Sequence, residues 1–330
     1  MLPDVTERTL DARLARLRAG GDDPDDFVIA DAKDGDMAFG VTAPGPDGDG
    51  GWKPRSAHLD AIAEMTASGL VDVMLTSVSS AAILAGRGVF DGSPVTPAVR
   101  LNDTTDIWMA RGGRYRESPS RPFASADVAS AAELVDLGLY SMTFSNDLER
   151  DLASLERYRA FRLEARGTRL RHFLEVFNPA FDVGIPGPEL GHYVNDMIVK
   201  AVAGVVPGDA PLFLKIEFNG ARAMEELARY DPERLVVGIL GGAAGTTRDT
   251  FELLGQARAA GARVALFGRK INLAERPLEL VALMREVIGE RLDPAAAVEE
   301  YHRRLEAAGV APRRSLEDDL EVTEPVLRGR

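Results

Sequence analysis

Eight short apolar runs, set apart by segments of helical periodicity, constrain this chain more than any other feature of its sequence. The runs are Phe27–Ala30, Val71–Leu75, Ala98–Leu101, Leu139–Phe144, His172–Phe177, Pro211–Phe218, Leu235–Leu240 and Arg263–Phe267. Consecutive apolar positions are what a strand buried on both faces requires. The helical pattern predicts helices over Thr6–Arg18, with Leu10, Leu14 and Leu17 on one stripe, and over His58–Ser68, Ala81–Ala85, Asp127–Leu137, Leu148–Arg166, Glu189–Val202, Ala221–Arg229 and Thr247–Ala260. A last helical pair covers Pro277–Ile288 and Pro294–Ala308. Several of these helices run into a glycine just before the next strand, Gly138 and Gly167 among them, the usual C-cap position. Strict alternation with eight strands predicts one α/β domain over the whole chain. It is a (β/α)8 TIM barrel spanning about residues 27–290, with an extra N-terminal helix and a C-terminal helical extension over about residues 291–330. An open doubly wound sheet is the runner-up, but it calls for GxGxxG after the first strand, and none is there.

Composition narrows the function classes. The 330 residues are 45% hydrophobic and 28% charged, enough for a sizeable core. No run approaches the ~18 apolar residues of a membrane-spanning helix, and the charged N-terminus lacks a secretory h-region. There is no cysteine, which removes disulfides, thiolate catalysis and Cys-ligated zinc. Together these predict a cytoplasmic protein. The net charge of −13 repels phosphate backbones, so nucleic-acid binding is disfavoured. The run Asp22, Asp23, Asp25 and Asp26 reads as a solvated loop. The stretch from Ser315 onward reads as a trailing segment packed on a neighbouring subunit of a homo-oligomer.

On this fold, active sites sit at the C-terminal ends of the strands and in the loops that follow. In chain order, those ends offer Asp31, Lys33, Asp34 and Asp36; Thr76 and Ser77; Asn102 and Asp103; Thr143, Ser145 and Asn146; Glu175 and Asn178; Lys215, Glu217 and Asn219; Gly241 and Gly242; and Gly268, Arg269 and Lys270. Lys215 is the most informative. It interrupts the run Leu212-Phe213-Leu214-Lys215-Ile216-Glu217-Phe218, where an unpaired charge is costly. Burial would favour its free amine, the nucleophile for a carbonyl. Glu217 shares its face by the period of two. The competing reading is a Lys–Glu ion pair that only fills the barrel. Glu175, alone in Phe173-Leu174-Glu175-Val176-Phe177, lies on the neighbouring strand. There it can shuttle protons or simply neutralise the lysine, and both can hold at once.

The loops after the last two strands commonly hold a phosphate on this fold. Gly241, Gly242, Gly245 and Thr246 would bring backbone N–H groups and a helix N-terminus to an anion. Gly268-Arg269 would add a guanidinium fork. The four histidines, His58, His172, His192 and His302, do not fall where a metal site is expected. Trp52 and Trp108 read as packing residues before ligand platforms, and Gly45–Gly51 as a lid or a long connection.

These residues resemble the class I, Schiff-base aldolases related to tagatose-bisphosphate, sulfofructose-phosphate and archaeal-type fructose-bisphosphate aldolases, in patches from about Phe27 to Glu279. Leu214-Lys215-Ile216-Glu217 is similar to their lysine-bearing strand, and Phe173-Leu174-Glu175 to the strand of the acid/base glutamate. Asp31-Ala32-Lys33-Asp34-Gly35 stands where that family has Asp-Gln-Arg-Gly. Lys215-to-Gly220, Gly241-Gly242 and Phe267-Gly268-Arg269 fit the archaeal pattern and the phosphate loops. Departures are Phe144 in place of a fourth-strand tyrosine acid, and Lys270 and Asn272 beside the phosphate loop. The resemblance implies a lyase acting on a sugar phosphate or related anionic ketose or keto acid, with no redox cofactor and no metal. Lys215, Glu175 and Asp31 would be catalytic, and Lys33, Asn102, Ser145, Glu217, Gly241, Gly242, Gly268 and Arg269 would bind substrate. Two other readings stay open. One is a magnesium-dependent lyase with Asp31, Glu175 and Glu217 as ligands and Lys215 as base; the other is a non-catalytic sugar-phosphate-binding barrel.

Overall fold

The computed structural model describes residues 8–105 and 110–328. Among the described residues ten strands form: β1 Val28–Lys33, β2 Val73–Thr76, β3 Thr96–Arg100, β4 Asp103–Thr104, β5 Pro122–Phe123, β6 Leu137–Thr143, β7 Arg171–Phe177, β8 Leu214–Ile216, β9 Gly238–Leu240 and β10 Val264–Phe267. Eight of them close into a parallel barrel in the order β1-β2-β3-β6-β7-β8-β9-β10, with β10 paired back to β1. The eight apolar runs are therefore the eight staves, and helices follow them on the outside. β4 and β5 form a small antiparallel pair in the long β3-to-β6 connection. No apolar run announced that pair. Trp108 and Thr6 lie outside the described residues.

Period two divides each stave. Val28 and Ala30 point into the barrel with Val73, Leu75, Ala98, Leu137, Leu139, Phe173, Phe213, Val264 and Leu266. Ile29, Met74, Val99, Tyr140, Leu174, Ile216 and Ile239 belong to the outer layer, packed under helices such as Arg55–Ser68 and Pro277–Ile288. The helix Thr9–Arg18 lies across the N-terminal mouth, and its Leu10, Leu14 and Leu17 complete the inner cluster. That closes the bottom of the barrel and leaves the C-terminal end open. Burying a side chain of this size is worth about 1.5–3 kcal/mol.

Most element ends shift by a few residues from the sequence reading, and three differences matter for the site. β1 continues past Ala30 because Ala32 and Lys33 still pair with Leu75 and Thr76 on β2. The helix predicted over Asp127–Leu137 ends at Leu134, capped at its start by Asp127, whose carboxylate accepts from Ser130 N at 2.7 Å. Gly138 is therefore no C-cap. It sits inside β6, where a Cβ would stand 2.3 Å from Leu101. Finally, the segment after Ser315 packs on its own chain. Asp249 of the helix Thr247–Ala259 accepts from Thr323 N (2.7 Å) and Glu324 N (3.1 Å). Gln256 donates to Leu327 O at 2.9 Å, and buried Lys270 pairs with Glu324 at 2.8 Å. Asp319 accepts from Thr247 N at 2.8 Å, so a carboxylate of the chain itself, and not a substrate anion as the sequence suggests, occupies this helix N-terminus.

Gly238 shows how tightly the staves meet, since a Cβ there would lie 2.5 Å from Leu214 O and 2.7 Å from Val264. Gly238→Ala should cost roughly 1–3 kcal/mol through overpacking, read as an earlier urea midpoint by circular dichroism. Gly86→Ala, where a Cβ meets nothing within 4 Å, should not lower it. Equal midpoints for the two variants would refute the close approach.

Candidate active site

The inner face changes character one layer above the barrel's centre. Phe173 and Phe213 stack at 4.6 Å between centroids, and two residues further along the same staves come Glu175 and Lys215. These two are register partners on β7 and β8, as Ser141 and Glu175 are on β6 and β7. With Arg100 at the end of β3, this gives a band of buried polar side chains across four adjacent staves. Glu175 is 0% exposed and Lys215 6%. Charges this deep persist only when paired, and their pairing is specific. Glu175 Oε1 contacts Lys215 Nζ in an ion pair. Glu175 Oε2 accepts from Ser141 Oγ at 2.7 Å and lies 3.0 Å from Arg100 Nη1. Arg100 Nη1 also donates to Ser141 Oγ at 2.7 Å and to Asp103 Oδ1 at 3.2 Å, while its Nε donates to Asp34. One carboxylate oxygen of Glu175 is anchored and the other faces the lysine.

The electrostatics follow from these contacts. Burial works against the charge of Arg100, but Asp34, Glu175 and Asp103 outweigh it and raise its hold on the proton above the ordinary value. Burial also pushes Asp34 up, yet Arg100 and Lys215 outweigh it and hold this carboxyl below its ordinary value. Asp103 goes the other way. Burial pushes it up to about 7, with Asp34 and Glu175 adding to the shift and Arg100 only partly opposing it.

Above this band opens a cavity of about 500 Å³, lined at its base by Asp34, Arg100, Glu175 and Lys215. The structure also brings Lys33, Gly241, Gly242, Gly268 and Arg269 to its wall. Gly242 has φ +63°, which favours glycine there. The Arg269 guanidinium stacks over Phe39 at 5.4 Å; burial lowers its pKa, with Tyr115 and Glu217 opposing.

Four predicted residues are placed elsewhere. Asp31 shares the parity of Ile29, so its carboxylate turns to the outer layer, 0% exposed, with Lys33 Nζ at 3.3 Å. Burial raises its pKa, and Lys33 only partly opposes this. The first-strand carboxylate beside Lys215 is instead Asp34, on the parity of Ala30 and Ala32. Asn102 commits both ends of its amide to Ser141, accepting from its N at 2.5 Å and donating to its O at 2.9 Å, and so ties the end of β3 to β6. Ser145 N donates to Asp151 at 2.7 Å, which fastens the loop after β6. Glu217 accepts from Asn178 N at 2.9 Å. None of the four lines the cavity. Phe144 joins the outer apolar cluster, so the chain presents no side chain to the cavity from that position.

Arg100 and Ser141 are the residues that sequence reasoning passed over, and Asp34 stood among the strand-end candidates without a role. Arg100 carried the same signal as Lys215, a lone charge inside an apolar run. Counting parity from Ala30 would have chosen Asp34 over Asp31. His58 and Asn272 also line the cavity. His58 Nε2 lies 3.1 Å from Lys33 O, so that nitrogen donates. Asn272 accepts from Lys33 Nζ at 3.1 Å and donates to Ala43 O at 2.9 Å.

No protein-family model and no curated protein sequence matches this chain. Solved structures do match it. An archaeal fructose-1,6-bisphosphate aldolase, with its catalytic lysine covalently bound to the carbinolamine intermediate of the substrate, aligns over 85% of this chain and 99% of its own, at 18% identity and a TM-score of 0.63. A fructose-bisphosphate aldolase from Slackia heliotrinireducens aligns over 90% of both chains at 14% identity and a TM-score of 0.59. The (S)-3-O-geranylgeranylglyceryl phosphate synthase of Thermoplasma acidophilum aligns over 86% of this chain and 100% of its own at 11% identity and a TM-score of 0.50. These likenesses establish the shared barrel. Since barrels of different chemistry are among them, function must be argued from the site.

The proton on Asp103 gives the site a pH signature. The folded chain holds it to about 7 and the unfolded chain releases it near 4. Stability from this group is thus fully present below ~4 and is lost as pH rises through about 7. Asp103→Asn should remove that loss, so the variant's stability relative to the parent should climb between pH 4 and pH 8 in urea titrations. A pH-independent difference would contradict the assignment.

Proposed function

We propose that this protein is a class I aldolase or closely related lyase, making or breaking a carbon–carbon bond of a phosphorylated or otherwise anionic carbonyl compound through an imine on Lys215. The observation that carries this reading is the register-paired Lys215–Glu175 contact at the base of an open cavity on the C-terminal end of the barrel. The solved relative whose lysine is trapped as a carbinolamine supports it by analogy of fold.

The chemistry follows from the placement. An ammonium cannot attack a carbonyl, so Lys215 must first hand its proton to a base in contact with it, and Glu175 Oε1 is that base. Attack gives the carbinolamine. The same carboxyl then returns the proton to the departing hydroxyl, which leaves as water and forms the iminium. The iminium draws electrons from the bond between its α and β carbons. Glu175, ionised again once water has left, takes the proton of the β-hydroxyl, which gives an aldehyde and an enamine; it then returns that proton to the enamine carbon, and water hydrolyses the resulting iminium to free Lys215. Asp34, held ionised by Arg100, supplies the negative charge that the iminium needs. Arg100 and Ser141 are positioning residues that fix Glu175 Oε2 and so aim Oε1. Gly241, Gly242, Gly268 and Arg269 receive the anionic group of the substrate. Lys33 holds Asn272 at the cavity wall.

The magnesium-dependent reading needs Asp31, Glu175 and Glu217 to converge. Asp31 lies on the other face of β1, Glu175 is held between two cations, and Glu217 accepts from the Asn178 backbone. Their placement favours the imine.

Borohydride added with dihydroxyacetone phosphate and with a panel of ketoses and keto acids should add mass to the peptide containing Lys215. Lys215→Ala should abolish it. A label on Lys33 or Lys270 instead would move the nucleophile. Glu175→Gln should lower kcat ~10²–10⁴-fold at every pH while slow trapping persists. Near-normal kcat at high pH would reduce Glu175 to a counter-ion, and ligand binding without any turnover would leave a non-catalytic barrel.

A further inference from the structure

Four cations line the central cavity, and their partners differ. Lys33 is paired with Asp31, Lys215 with Glu175, and Arg100 with Asp34, Asp103 and Glu175. Arg269 alone forms no ion pair among the described residues; it stacks on Phe39, and Tyr115 and Glu217 act on it only through space. A second phosphate in this cavity would meet cations that are already neutralised, beside the buried carboxylates of Asp34 and Glu175.

The rest of the wall is mostly apolar, with Thr42, His58 and Asn272 its other polar members. From the Phe39 ring beneath Arg269 it runs over Ala38, Ala43 and Pro46 to Trp52, with Phe177 and Leu273 also lining it. Trp52 is 42% exposed, unlike the aromatic residues of the core, and is held at the mouth by a bridge to Pro46. The intervening loop is folded by Asp47, which accepts from Asp49 N and Gly51 N at 2.9 Å each. The groups able to meet the hydroxyls of a sugar are mostly committed: Thr42 Oγ1 donates to Phe39 O at 3.0 Å, Asn272 spends its amide on Lys33 and Ala43, and His58 Nε2 is held on Lys33 O, which leaves His58 Nδ1 as the ring atom without a partner among the described residues.

We infer that the substrate of this site carries one anionic group, seated on Arg269, and an apolar arm laid against the wall from Phe39 to Trp52, in place of the second phosphate and hydroxyls of a sugar bisphosphate. This deepens the imine reading and rests on it for the chemistry, though ligand binding can be measured without it. Burial of the arm is favoured because apolar surface on both partners leaves water. A hydroxylated, doubly charged arm would lose its hydration without partners to replace it.

Calorimetric titration of the intact protein with hexyl phosphate, inorganic phosphate and fructose 1,6-bisphosphate tests this directly. Hexyl phosphate should bind at least ~10-fold more tightly than either of the others, with a negative heat-capacity change. Trp52→Ala should shrink its advantage over inorganic phosphate, and Arg269→Ala should weaken both by a similar factor. If the bisphosphate binds more tightly, or if hexyl phosphate gains nothing over inorganic phosphate, the inference is wrong. A loss of affinity in Trp52→Ala that is equal for hexyl and inorganic phosphate would also overturn it, by making the wall structural. Borohydride trapping in parallel separates the two claims. Tight hexyl phosphate binding without any trappable carbonyl compound would keep the pocket assignment and remove the imine.

Discussion

A lysine and a glutamate held side by side inside a closed barrel impose conditions on everything around them. Neither charge can stay there without a partner, and a simple pair would leave the second oxygen of Glu175 with desolvated lone pairs. The structure answers with Arg100 and Ser141 from two further staves. Arg100 then needs charge of its own, and Asp34 provides it, while Asp103 accepts a further hydrogen bond. The result is a connected set in which each member is satisfied by another, the condition under which buried polar groups give definition instead of cost. The stacked rings of Phe173 and Phe213 beneath it keep the lower barrel dry, and the leucine stripe of the helix Thr9–Arg18 closes that end.

That network also makes the two ends of the barrel unequal. Below it, aliphatic and aromatic side chains fill the interior and serve stability. Above it, the staves end and the loops diverge, leaving the cavity. The contrast between the glycine-rich turn at Gly241-Gly242 and the helix starting at Thr247 shows how local that division is. The turn faces the cavity, whereas the helix N-terminus a few residues on is capped by Thr246 and Asp249 and by Asp319 from the returning C-terminal segment. A free helix N-terminus attracts anions. This one already has its carboxylate, so the proposed seat of an anionic group is left to the glycine turn and Arg269.

Asp31 shows what a one-residue shift in phase does. A strand turns successive side chains to opposite faces, so Asp31, inside the ladder with β2 that persists through Lys33, is turned away from the cavity, whereas Asp34, just past the end of that ladder, reaches it. Ending the strand at Ala30 leaves that choice undetermined, and it becomes decidable only when the length of β1 is known. The same holds for Asn102 and Ser145. Both follow a stave, as site residues do, but one is drawn into bridging β3 to β6 and the other into a backbone contact with Asp151.

The sequence alone determined the staves, because a strand covered on both faces must be apolar at every position, and this leaves a run that no exposed segment imitates. It also determined Lys215 and Glu175 as exceptions within such runs, and by the same signal it contained Arg100. Tertiary structure decided which exceptions meet. Register across β6, β7 and β8 set Ser141, Glu175 and Lys215 in one row, and the pairing of β3 with β6 brought Arg100 to them. It decided that Gly138 serves a close approach between staves and that the C-terminal segment returns to Asp249 and Lys270. Those outcomes depend on contacts between residues far apart along the chain, whose partners local periodicity cannot name.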